Sequence, residues 1–225
     1  MKNKIMNNRG MSIISSIVVS SIIAVVVVGL GQVYFSSGRI KSNTDAKISF
    51  VDYENAAMEA IGKNAFRILK NCDYPSLSSL NVSLGKLGSV IAMNSDTKAM
   101  VNRALSFSSS NPDDTTLKGI LDQCQDFTPL TGGSSPGAFF GCVVFKDPNG
   151  AFSFMNMLGV FATIKIELGE RGKGSESRLL ASPVDCNVFK NSANPEIRLI
   201  YQIYFKKFNG SGSVFSKAGV RFVSE

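Results

Sequence analysis

MSIISSIVVSSIIAVVVVGL, residues 11–30, is the stretch on which the reading of the whole chain turns. Fourteen of its twenty residues are apolar, and the 29 residues from Gly10 to Gly38 carry no charge. Four consecutive valines, Val25 to Val28, would suggest a strand in water, because branching at Cβ costs rotamer freedom in a helix. A hydrocarbon layer reverses that preference, since unpaired backbone groups are costly there and a helix satisfies them internally. About 20 residues cover the bilayer core. The serines at 12, 15, 16, 20 and 21 weaken the hydropathy, although each hydroxyl can bond to a carbonyl one turn back. A transmembrane helix is therefore expected over residues 11–38. Lys2, Lys4 and Arg9 precede it and Arg39 and Lys41 follow, which predicts a cytoplasmic amino end with the bulk of the chain exported.

Three readings of this segment stand side by side. It can be a plain signal anchor. It can be a cleaved secretory signal, with Gly29-Leu30-Gly31 or Ser36-Ser37-Gly38 as the small-residue cleavage site, although its apolar portion exceeds the usual 7–15 residues. The third depends on Asn8-Arg9-Gly10-Met11, which puts a glycine between a short basic leader and the apolar run.

That arrangement, followed by Met11-Ser12-Ile13-Ile14, resembles the class III leader of type IV pilins and type II secretion pseudopilins. Tyr34 also falls where many pilins carry a tyrosine. The resemblance implies cleavage after Gly10 by a prepilin peptidase and methylation of the new amino terminus at Met11. It implies that Ile13, Ile14, Ser15, Ile17, Val18, Ile22, Val25 and Tyr34 lie on a retained assembly helix, in contact with inner-membrane lipid and with other pilin or pseudopilin subunits. Ser15 stands where the family usually has glutamate, and Gln32 sits near the place of its helix-breaking proline. In the family the glutamate neutralises the amine of a neighbouring subunit, so its absence fits a minor subunit at a tip. The implied location is the inner membrane, single-pass, with the head in the periplasm or in a filament. The other reading of the whole is a single-pass envelope protein with an exported, disulfide-bonded binding head.

Behind the span, Ile40, Thr44, Ile48, Val51, Asn55, Met58, Ile61 or Gly62, Ala65 and Leu69 recur at helical spacing. Charged residues, Asp52, Glu54, Glu59 and Lys63 among them, fill the positions between. This predicts an amphipathic helix over 39–71 that needs a partner surface. Joined to the first segment it would run from about Met11 to Lys70, on the order of 90 Å. Residues 72–138 read as irregular, with one short helix near Thr115–Cys124 and a loop at Thr131–Gly137. From 139 to 225 the period changes to two. Ile197, Leu199, Tyr201, Ile203 and Phe205 share one face, and Arg198, Gln202 and Lys206 mark the other as wetter. Short connections between such runs predict hairpins and an antiparallel sheet. The expected fold is thus α+β, a long N-terminal helix, membrane-spanning in its first half, packed on an antiparallel head.

Composition narrows the chemistry. The chain of 225 residues has no histidine, so Ser-His-Asp and Cys-His nucleophile schemes are closed. Removing Lys2, Lys4 and Arg9 with the ten-residue leader lowers the net charge from +7 to +4 over 215 residues. The remaining basic residues are scattered, so no nucleic-acid partner is expected. Cys72, Cys124, Cys142 and Cys186 form an even set in a segment expected to be exported, which favours two disulfides. Four cysteines allow three connectivities, and the sequence does not choose among them. The preferred pairing is Cys72–Cys124 with Cys142–Cys186. No CxxC spacing marks a zinc site. Gly169–Ser175 does not match a phosphate loop, and Asp113, Asp114, Asp122 and Asp126 do not form a calcium-binding loop. No cofactor, metal or catalytic constellation is expected, and the role read from the chain is not enzymatic.

Overall fold

The computed structural model describes residues 50–107, 111–130, 137–154, 157–172, 176–180, 185–207 and 214–224. Gly10, Met11 and the expected assembly residues up to Tyr34 lie outside them, as does the Thr131–Pro136 part of the expected loop. The chain divides at Asp52, and the unit Tyr53–Glu225 is the one whose structure follows.

Helix α1 covers the described residues 50–70. Its buried positions include Tyr53, Ala57, Met58, Ile61, Ala65, Phe66 and Leu69, a stripe with the three-to-four residue recurrence of one helix face. The expectation of a long helix, membrane-spanning in its first half, is corrected by this structure. Among the described residues no helix is long and apolar enough to cross a membrane. The helix that is described places Glu54, Glu59, Lys63 and Arg67 among its apolar residues, a composition for a water-facing head. The stripe is also rotated at its start. Val51 is 41% exposed and Asn55 is exposed, whereas Tyr53 and Glu54, read as outside the stripe, are buried.

Among the described residues nine strands form one sheet: β1 (Asn81–Ser83), β2 (Ser89–Ala92), β3 (Thr128–Pro129), β4 (Ala138–Lys146), β5 (Ser153–Phe154), β6 (Met157–Arg171), β7 (Ser177–Leu179), β8 (Pro195–Lys207) and β9 (Val214–Ser224). The main path runs β1-β2-β4-β6-β8-β9, with β3 on β4 and with β5 and β7 on β6. Every pairing is antiparallel, both where short turns join neighbours, as at β1–β2 and β8–β9, and where longer excursions do, as between β2 and β4 and between β6 and β8. The turn after β4 shows the local chemistry. Asp147 Oδ1 accepts from the backbone N–H of Asn149 and of Ala151, both at 2.9 Å, and Gly150 takes φ 82°, which only glycine adopts cheaply.

Residues 72–138 are more ordered than their composition suggests. Besides β1, β2 and β3 they hold α2 (Ser95–Leu105) and α3 (Pro112–Gln123). A reciprocal capping box starts α2, with Asn94 Oδ1 accepting from the Thr97 N–H and Thr97 Oγ1 accepting from the Asn94 N–H. The expected Thr115–Cys124 helix is α3, begun three residues earlier by the Asn111 cap and Pro112 in the first turn.

The sheet is covered on one face by α1 and in part on the other. Phe139, Val143, Ile164, Leu199 and Val223 share the α1 face, by the pairing of β4, β6, β8 and β9. Gly62 lets α1 approach closely, because a Cβ there would lie 2.5 Å from Val223 Cγ2 and 2.7 Å from Leu199 Cδ1. Part of the opposite face is roofed by α2 and α3, whose Val101, Leu105, Leu117 and Leu121 join Val144, Phe161 and Tyr204 in one cluster. Toward β9 that face is open, and Val220 and Phe222 are 55% and 52% exposed.

Candidate functional site

The sequence placed function in the N-terminal segment, whose residues fall outside those described. Within the head, polar chemistry gathers where the first turns of α1 meet β8 and β9. Glu54 is only 3% exposed. Its Oε1 accepts from the Tyr201 hydroxyl at 2.9 Å, and its Oε2 pairs with Lys217 Nζ. One turn on, Arg221 donates to the Asn55 carbonyl at 2.9 Å and to Glu59 at 3.3 Å, and Glu59 also meets Lys63 at 2.7 Å. Glycine at 219 makes the arrangement possible. A Cβ there would lie 2.4 Å from the Tyr201 ring and hydroxyl, so the phenol can cross β9 to reach the helix.

The electrostatics follow from this packing. Burial pushes the Tyr201 phenol up to about 12, and the hydrogen bond to Glu54 and its charge add to that. Burial raises Tyr53 as well, with the Asp147 carboxylate contributing. Glu59 is held below the ordinary carboxylate value by the Lys63 hydrogen bond first, then by the charges of Lys63 and Arg221. Each acid in this clasp has a cation against it and each cation an acid or carbonyl. Such an arrangement orients a helix on a sheet; it offers no unpaired base and no activated nucleophile.

Two further charged groups are paired within the head, the first of them between layers. Asp114 of α3, 1% exposed, meets Lys206 of β8 at 2.8 and 2.9 Å. Its partner lies 92 residues away in the chain, so the sequence around Asp114 carries no local trace of the pair. On the open sheet face Glu167 receives Lys165 at 2.6 Å and Arg198 Nε at 2.6 Å. Burial works to raise that carboxyl, but the two hydrogen bonds and the two charges outweigh it, and it lies below its ordinary value.

All four cysteines are in disulfides, and the pairing differs from the one preferred on sequence. Cys72 joins Cys186 with Cα atoms 5.7 Å apart, and Cys124 joins Cys142 at 5.5 Å. The reason is the course of the chain after β7. Helix α4 (Cys186–Lys190) is placed against the carboxyl end of α1, where the Phe189 and Phe66 rings stand 5.9 Å apart, so Cys186 meets Cys72. Cys124 caps α3 directly over β4, and its backbone neighbour Gln125 accepts from the Cys142 N–H. Gly169 of the phosphate-loop lookalike is an ordinary strand residue paired with Leu179. No group of three or more potential metal ligands occurs among the described residues. Compared with protein-family models, curated proteins and solved structures, the chain matches none of them.

Proposed function

We propose that the protein is a pilin-like structural subunit, a minor one, of a type IV pilus or a type II secretion pseudopilus. The observation that carries this reading is in the sequence: a basic leader closed by Gly10, with an uncharged apolar segment directly behind it up to Gly38. A prepilin peptidase would release the leader and leave the segment attached to the head. That segment would hold the subunit in the inner membrane and later pack against other pilin or pseudopilin subunits, with the head on the periplasmic side. Two disulfides in the head agree with an oxidising compartment. The function is mechanical, and Glu54 and Asp114 of the head are engaged in joining its layers.

Mass spectrometry of the mature protein tests the proposal. A chain beginning at Met11 and carrying one added methyl group supports it. An intact Met1 transfers the weight to an unprocessed envelope protein with a binding head. A chain beginning beyond Leu30 removes the assembly segment and ends both readings.

A further inference from the structure

The last turns of α1, the turn behind them and the start of β1 line an open surface pocket of about 310 Å³, at the lower bound of the roughly 300–1,000 Å³ common for small-molecule sites. Its position follows from local chain geometry. Cys72 adopts φ 63° and its disulfide to Cys186 fixes the turn. The chain then doubles back, with the Asp73 N–H bonded to the Ile68 carbonyl at 3.1 Å. The walls are consequently held before any ligand arrives.

The lining is chemically mixed in an informative way. Ile68 and Leu80 supply apolar surface, and Arg67 and Asp73 supply one charge of each sign. Arg67 is steadied by Asn64 Oδ1 at 3.1 Å, and Asp73 accepts from the Ser76 hydroxyl through Oδ2, which leaves further guanidinium N–H groups and Asp73 Oδ1 for a visitor. Asn71 and Asn81 complete the rim, and among the described residues their amides engage no side-chain partner. Opposite charges in one pocket give no net attraction for an anion or a cation. Carboxylate acceptors, guanidinium donors and amides that both donate and accept match vicinal hydroxyls, while the apolar pair suits the C–H face of a ring.

The geometry points to a binding site for a neutral saccharide unit. This site is independent of how the chain is anchored, so it can stand or fall without the subunit reading. Titration of the full chain, in a detergent without sugar groups, with glucose, galactose, mannose and N-acetylglucosamine, and separately with sulfate, is the test; calorimetry or saturation-transfer NMR gives the readout. Saturable binding of at least one sugar is expected. Asp73→Ala and Asn81→Ala, both at exposed rim positions, should each weaken it by about tenfold or more, as loss of a hydrogen bond to a charged or amide group predicts. Unchanged urea midpoints would show that both variants fold. The inference is overturned if no sugar saturates, if sulfate binds and the sugars do not, or if neither substitution alters sugar affinity.

Discussion

Mild reduction of the native protein should open the Cys72–Cys186 bridge while Cys124–Cys142 stays closed. Cys124 and Cys142 are 3% and 0% exposed and belong to the cluster beneath α2 and α3, whereas Cys72 and Cys186 are half-buried. A thiolate must reach the sulfur it attacks, so access separates the two. The consequence for stability follows from the loops they close. For a sequence separation of 114 the chain-entropy relation gives about 4.8 kcal/mol, and for 18 about 3.2 kcal/mol. Against a typical total of about 5–15 kcal/mol, losing the longer loop leaves a marginal head. With a urea dependence of about 2 kcal/mol per molar, the midpoint should fall by about 2 M. Graded reduction, alkylation and peptide mapping identify the opened pair, and urea titration of the same sample measures the cost. The reasoning is refuted if Cys124 and Cys142 are alkylated first, if the midpoint does not move, or if the oxidised protein yields a peptide linking Cys72 to Cys124.

Four other sites probe the packing and the charges. Gly62→Ala should destabilise by up to about 2 kcal/mol, because overpacking of about 1–3 kcal/mol against Val223 and Leu199 exceeds the helix gain of about 1 kcal/mol; Gly119→Ala in α3, with nothing within 4 Å of the new Cβ, should stabilise by about 1 kcal/mol in the same urea assay. Asp114→Ala should cost about 3 kcal/mol by stranding Lys206, and adding Lys206→Met should recover most of it in a double-mutant cycle. Glu167, lowered from 4.5 in the folded state, contributes stability that is fully present above its unfolded value and lost as pH falls through the folded one; Glu167→Gln should flatten that acid slope in urea midpoints taken across the range.

What could be read in advance was whatever repeats along the chain. Strand β8 announced itself because Ile197, Leu199, Tyr201 and Ile203 alternate with wetter neighbours, and all four are buried. Met58, Ala65 and Leu69 marked the α1 stripe for the same reason. Glu54 was misread because a charge on a helix is ordinarily solvated, and the groups that permit its burial lie 147 and 163 residues away. The two-to-four-residue strands β1, β2 and β3 are too short to display a period. Helix α2 is held by an Asn94–Thr97 capping box rather than by a strong apolar stripe, and its Met100 is 49% exposed. The disulfide partners depend on where α4 returns, which no spacing encodes.

The two ends of α1 are fastened by different means. Its carboxyl end is fixed covalently through Cys72. Its start is fixed by the Glu54 clasp and by Arg221, which distribute any pull through Tyr201, Lys217 and Arg221 onto β8 and β9 together. Those strands are joined by eleven paired positions, Glu196 through Lys206 against Ser224 through Val214. A hydrophobic residue at 54 would satisfy burial at many rotations of the helix, and replacing a buried ion pair by apolar groups often stabilises. A carboxylate held between the Tyr201 hydroxyl and the Lys217 ammonium is satisfied at one rotation only. Its contribution is therefore orientation more than stability: it fixes the rotation of α1 on β8 and β9.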